Sequence, residues 1–212
     1  FNREARAWKD LNHPNILKFL CFDWKLARFG LPSFISRYCE NGTVINYLRN
    51  NPMADKRLII KGVAQGLKYL HDNNVIHGDL KPNNILIGTY GEPLLCDFGR
   101  SKILTYSGFT ATSLVGACRY QAPELFDDNA KLSRATDVYA FAISFYEIWT
   151  GRRPYRGITN DSAVILKVSQ GMRPEPPSPP WPHQEIIWPL LEECWQKMYA
   201  NRPLISQVVD RL

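Results

Sequence analysis

The sequence predicts an α+β fold, with β structure early in the chain and mostly helix after it. Three observations carry that prediction. Residues 16–24 and 31–38 are apolar, aromatic-rich runs separated by a glycine-containing turn, as in two antiparallel strands. Residues 56–73 and 138–149 carry apolar side chains over lengths that suit helices better than strands. The β-like runs between them, 84–87 and 93–96, are short and flanked by charged or turn-forming residues.

In chain order, residues 1–11 place Phe1, Ala5, Trp8 and Leu11 on one helical face, and Asn12-His13-Pro14 ends that segment. After the strand pair and a polar turn, Glu40-Asn41-Gly42, the stretch to Arg49 reads as helix. In residues 56–73 the spacing of Leu58, Ile59, Val63, Leu67 and Leu70 predicts a buried helix. Residues 100–117 are small and polar without periodicity, a loop of a length that usually serves function. The proline-dense stretch 173–182 excludes helix and central strand, and residues 184–199 and 204–212 read as closing helices.

Composition narrows the function classes. The 212 residues fit one large domain or two small lobes. The 26 basic and 20 acidic residues leave a formal charge of +6, but the cations are scattered, which favours a solvated surface over a nucleic-acid interface. Cys21, Cys39, Cys96, Cys118 and Cys194 are odd in number and contain no CxxC pair, arguing against a disulfide framework and a zinc site. With no secretory signal, a reducing, cytoplasmic setting is the default expectation. Apolar runs fall short of the ~20 residues of a membrane helix. Nothing speaks to oligomeric state. The first residue is Phe1 rather than Met, which reads as a fragment.

The chemistry is concentrated in His77-Gly78-Asp79-Leu80-Lys81-Pro82-Asn83-Asn84, then Asp97-Phe98-Gly99, then Ala122-Pro123-Glu124. An isolated Asp in a His-Gly-Asp turn ordinarily caps its own loop backbone. Three such motifs in this order, separated by a short β pair and a long polar loop, instead resemble the catalytic loop, the metal-binding DFG and the APE of the protein kinase family.

That resemblance implies a two-lobe kinase-like fold, a remnant of the small lobe over 1–37 and the hinge and large lobe over 38–212. It implies ATP and Mg²⁺ as cofactors and a protein Ser/Thr hydroxyl as substrate. Asp79 would orient the substrate hydroxyl, Lys81 would reach the transferring phosphate, and Asn84 and Asp97 would hold the metal. The Lys81-Pro82 pair resembles Ser/Thr rather than tyrosine kinases. Glu4, at the matching spacing from His13-Pro14-Asn15, would pair with the phosphate-gripping lysine. Ser36 would be a small gatekeeper, backbone groups of Arg37 and Cys39 would bond the adenine edge, and Leu86 would pack beneath it. His77 would be structural, near Phe98. Asp137 would accept backbone hydrogen bonds from the catalytic loop, and Glu124 and Arg202 would form a buried ion pair. Cys194-Trp195 and the stretch from Glu147 to Pro154 are similar to the tyrosine-kinase-like branch.

The chain departs from the family pattern in several places. The glycine-rich loop and its lysine strand are absent, so the stretch alone is expected to have little activity. Gly78 replaces an arginine, Ala117 a threonine and Ala142 a glycine, and the first of these argues against activation by loop phosphorylation. Two other readings remain open at this point: a pseudokinase serving as a docking module, and a small-molecule kinase with a similar His-Gly-Asp-Leu loop.

Overall fold

The computed structural model describes residues 8–28, 31–98, 101–103, 118–127, 130–178, 180 and 184–212. Strand β1 (Phe19–Arg28) pairs antiparallel with β2 (Leu31–Ser36), with Phe22 opposite Phe34 and Phe19 opposite Ser36. The expected strand at 16–24 therefore begins later and runs further, and that at 31–38 stops at Ser36. Helix α1 (Val44–Asn50) and helix α2 (Lys56–Asp72) follow. Asp55 caps α2, its carboxylate accepting from the amides of Arg57 and Leu58.

Two short pairings, of two and three residues, frame the loops that matter. Strand β3 (Val75–Ile76) pairs with β6 (Lys102–Ile103), and β4 (Ile85–Ile87) with β5 (Pro93–Leu95), both antiparallel. Beyond them lie α3 (Arg134–Thr150), α4 (Asp161–Ser169), α5 (Gln184–Cys194) and α6 (Ile205–Arg211). Helix α3 is buried on nearly all sides, with Tyr139, Phe141, Ile143 and Phe145 at 1% exposure or less, so it forms the axis of the helical part. A Ser133–Thr136 capping box starts it, and Gly151, at φ 66°, ends it in the left-handed conformation.

The segment before β1 is tied to the helical part. The Leu17 amide donates to the Leu95 carbonyl (2.9 Å), the Leu95 amide to the Asn15 carbonyl (3.0 Å), and Asn15 Nδ2 to the Pro93 carbonyl (3.0 Å). Helix α2 admits this approach through two glycines one turn apart. A Cβ on Gly66 would lie 2.8 Å from the Asn15 carbonyl oxygen, and one on Gly62 2.6 Å from Pro93 Cγ.

Several expectations are corrected. Leu58 is not buried but 67% exposed, and Ile60 at 1% takes the inward place. The expected helix over 184–199 ends at Cys194, with a separate 3₁₀ turn at Tyr199–Asn201. The expected loop 100–117 contains β6, while its residues 104–117 lie outside those described. Helix α4 was not expected at all. Of the amphipathic segment 1–11, residues 1–7 lie outside the described residues, and Trp8 and Leu11 are buried as their spacing requires.

Candidate active site

The loop between β3 and β4 is immobilised from below by one carboxylate. Asp137, in the first turn of α3 and 1% exposed, accepts the His77 amide hydrogen at Oδ2 (2.8 Å) and the Gly78 amide hydrogen at Oδ1 (2.9 Å). Its Oδ2 also takes a hydrogen bond from His71 Nε2 in α2 (2.9 Å). Bonds to an ionised acceptor are the stronger kind, and here they use up the charge that burial would otherwise penalise. Gly78 sits at φ 77°, a left-handed conformation that a residue without Cβ adopts at no steric cost.

Above that anchor the polar side chains converge. Lys81 Nζ lies 2.7 Å from Asp79 Oδ2, and Asn84 Nδ2 donates to the same oxygen (3.1 Å) and to the Asp79 carbonyl (2.8 Å). Asn84 reaches this position because a 3₁₀ turn, Pro82–Asn84, follows Lys81 directly and starts on a proline. The Cys96 amide donates to the Asn84 carbonyl (3.0 Å), which brings Asp97 beside the same loop. Asp97 itself is held at φ 63°, a conformation uncommon outside glycine and tolerated best by Asp and Asn.

His77 is buried beneath these groups. Burial lowers its pKa below the usual histidine range, against the opposing pull of Asp137, Asp79 and Asp97. Its hydrogen bonds agree with a neutral ring. Nε2 faces the Cys96 carbonyl (3.1 Å), which can only accept, and Nδ1 accepts from the Asp79 amide (3.3 Å). The ring packs on Phe98 at 5.4 Å between centroids, and Phe98 on Trp8 at 5.7 Å. The Cys96 thiol is pushed up to about 12, first by burial and then by the Asp97 charge, so it remains protonated.

A second cavity wall forms where β2 leaves its sheet. Ser36, Arg37, Cys39 and Leu86 line one hollow of about 520 Å³, with the backbone of Leu86 bridged to Thr43. The structure thus brings Asp79, Lys81, Asn84 and Asp97 into one cluster and Ser36, Arg37, Cys39 and Leu86 into one cavity. Glu4, Gly99 and Ala117 lie outside the described residues. The Asn84 amide nitrogen is engaged by Asp79, and its amide oxygen and the Asp97 carboxylate are hard oxygen donors of the chemical type that would suit Mg²⁺. Two protein oxygens suit Mg²⁺, which commonly completes its octahedron with water and substrate phosphates.

The end of the long loop is clamped. Arg202 forms a two-pronged pair with Glu124 (Nη1 to Oε1 2.6 Å, Nη2 to Oε2 2.8 Å) and donates to the carbonyls of Gln196 and Ala135. The guanidinium carbons of both Arg202 and Arg173 lie 5.1 Å from the ring centroid of buried Tyr139. Two structural anchors went unread in the sequence. His71 carried a weak signal, a polar residue on the inward face of a periodic helix. Arg119, 2% exposed and bonded to the carbonyls of Pro154, Tyr155 and Ile158, carried none.

A family model described as "Protein tyrosine and serine/threonine kinase" matches residues 1–212. Among curated relatives, the serine/threonine-protein kinase STY17 of Arabidopsis thaliana is 30% identical over all of this chain and 36% of its own length. The RGS domain-containing serine/threonine-protein kinase A of Dictyostelium discoideum is 32% identical over all of this chain and 18% of its own, and the ephrin type-B receptor 2 of Gallus gallus 32% over all of this chain and 21% of its own. The fold and the clustered motifs define a protein kinase domain. The chain belongs to the protein tyrosine and serine/threonine kinase family, which generally uses ATP and Mg²⁺, and it spans about a third or less of these relatives' lengths. No helix among the described residues is long and apolar enough to cross a membrane.

Proposed function

We propose that this chain is the catalytic part of an ATP-dependent protein serine/threonine kinase, which transfers the γ-phosphoryl group of Mg-ATP to a protein hydroxyl. The observation that carries this reading is the Asp79 carboxylate contacted by both Lys81 Nζ and Asn84 Nδ2. In the proposed step the substrate oxygen forms the new P–O bond, the bond to the β-phosphate oxygen breaks, ADP leaves, and the hydroxyl proton passes to Asp79. Lys81, a compact cation 2.7 Å from that carboxylate, is placed to meet negative charge beside the attacking oxygen. Asn84 and Asp97 would hold Mg²⁺, whose contribution is charge neutralisation at the phosphates. Backbone groups of Arg37 and Cys39 would receive the adenine edge, with Ser36 leaving space behind it and Leu86 beneath. Glu4 would pair with a phosphate-gripping lysine.

In this reading residues 1–37 belong to the small lobe and 38–212 to the hinge and large lobe, and the protein works in a reducing, cytoplasmic setting. Lys81-Pro82 favours Ser and Thr over Tyr as acceptors. The stretch 1–212 taken alone carries no glycine-rich phosphate loop, so by itself it should bind ATP weakly. Transfer of labelled phosphate from ATP to mixed Ser, Thr and Tyr peptides tests the proposal. The expected product, once a glycine-rich phosphate loop is supplied, is phosphoserine or phosphothreonine. Nucleotide binding with no transfer to any peptide would replace the enzyme by a docking module.

A further inference from the structure

A cavity of about 700 Å³ lies away from the cluster around Asp79, between the end of α2, the start of α3 and the segment leading into α6. That size suits a small molecule. Its floor is apolar, from Leu132, Val138, Pro203 and Ile205, and exposed Leu204 stands at its rim. The charges around it are unequal. Asp72 is paired with Lys68 (2.6 Å) and buried Arg202 with Glu124, whereas among the described residues Arg134 engages Nη2, with the His71 carbonyl (2.8 Å) and Asn74 Oδ1 (2.9 Å), and no carboxylate. The rim therefore presents a cation above an apolar floor. His71 forms part of the wall, and its ring is bonded to the Asp137 carboxylate that holds the amides of His77 and Gly78.

We propose that this cavity binds a small amphipathic anion, an apolar body ending in a carboxylate or sulfonate, and that the catalytic loop senses its occupancy through His71 and Asp137. The apolar body displaces water from Val138 and Ile205 while the anionic end meets Arg134. Because His71 and Asp137 are both buried and directly bonded, a ligand that fixes the His71 ring also fixes the acceptor of two loop amides. Coupling between sites then needs only a difference in ligand affinity between a loose and a fixed loop. Any effect on phosphoryl transfer rests on the function proposed above; binding and loop order do not.

The test uses 8-anilinonaphthalene-1-sulfonate as the probe on the purified protein, with saturating Mg-ATP to fill the hollow at Ser36–Cys39. A single saturable fluorescent site is expected to persist, weakened about tenfold by Arg134→Gln, in line with loss of a charge-assisted contact. Leu204→Glu, at an exposed rim position, should abolish it while leaving basal transfer unchanged. Hydrogen exchange at the amides of His77 and Gly78 should slow by about fivefold or more when the probe is bound, the lower end of ordinary coupling. Probe binding that ATP displaces, or that Leu204→Glu leaves intact, overturns the site. Saturation without change in exchange at these two amides overturns the coupling. Absence of phosphoryl transfer even with a glycine-rich phosphate loop supplied, with binding and exchange as expected, would count against the enzymatic reading alone.

Discussion

The carboxylate of Asp137 accepts the amide hydrogen of Gly78 at 2.9 Å across 59 residues of sequence, and so fixes the residue immediately before Asp79. Asp137→Asn removes the charge and turns one acceptor into a donor facing another donor. Stability should fall by about 2 kcal/mol or more, the cost of buried polar groups left unpaired. Phosphoryl transfer should fall with it, and urea unfolding beside a transfer assay reads both. An unchanged unfolding midpoint would mean that the loop is held by other contacts.

Asp79→Asn and Asp97→Asn should separate two roles. The first should abolish transfer with nucleotide affinity nearly unchanged, since its effect lies at the transition state. The second should lower Mg²⁺-dependent nucleotide affinity as well as rate. ATP titrations with and without Mg²⁺ distinguish them, and full activity in Asp79→Asn would contradict the proposed function.

Gly66→Ala tests the seat of the segment before β1 on α2. At an unobstructed helical site this change stabilises by about 1 kcal/mol. Here the new methyl carbon would stand 2.8 Å from the Asn15 carbonyl oxygen, backbone that cannot rotate away. Overpacking of that kind costs about 1–3 kcal/mol, so the net sign should be destabilising, with a lower urea midpoint and an unchanged slope. A raised midpoint would show that Asn15 yields.

Burial lowers the pKa of His77 in the folded state, so the unfolded chain binds the proton more readily. The histidine therefore leaves stability intact above its unfolded value, and stability declines as pH drops below about 6.5, by at most about 1.4 kcal/mol per pH unit. Urea midpoints from pH 8 to pH 5 should show this decline, and His77→Gln should flatten it. An equal decline in the variant would assign the effect to other groups.

Much of this architecture was legible because it repeats locally. The spacing of Ile59, Val63, Leu67 and Leu70 is enough to place α2, and the ordered motifs around Asp79, Asp97 and Glu124 led to the family. What escaped depends on partners distant in sequence. Strand β6 is two residues long and exists because Lys102 and Ile103 meet Val75 and Ile76. Leu58 and Ile60 are both apolar, and only the packing decides which faces inward. Helix α4 begins at an Asn160 cap, bonded to the Ser162 and Ala163 amides, a local signal left unread. The bond from His71 to Asp137 has no local signature, because neither residue's neighbours indicate the other.

The clamp between Glu124 and Arg202 spans 78 residues, which bears on the order in which the molecule is made. On a ribosome adding 5–20 residues each second, Arg202 is synthesised roughly 4–16 s after Glu124. During that interval α3 can already nucleate on local contacts, while the stretch from Pro123 to Phe126 has no guanidinium to close on. The end of the long loop at Glu124 is therefore seated only after α3 and the chain through α5 have been synthesised, and a nascent chain paused within α5 would expose it to chaperones and proteases.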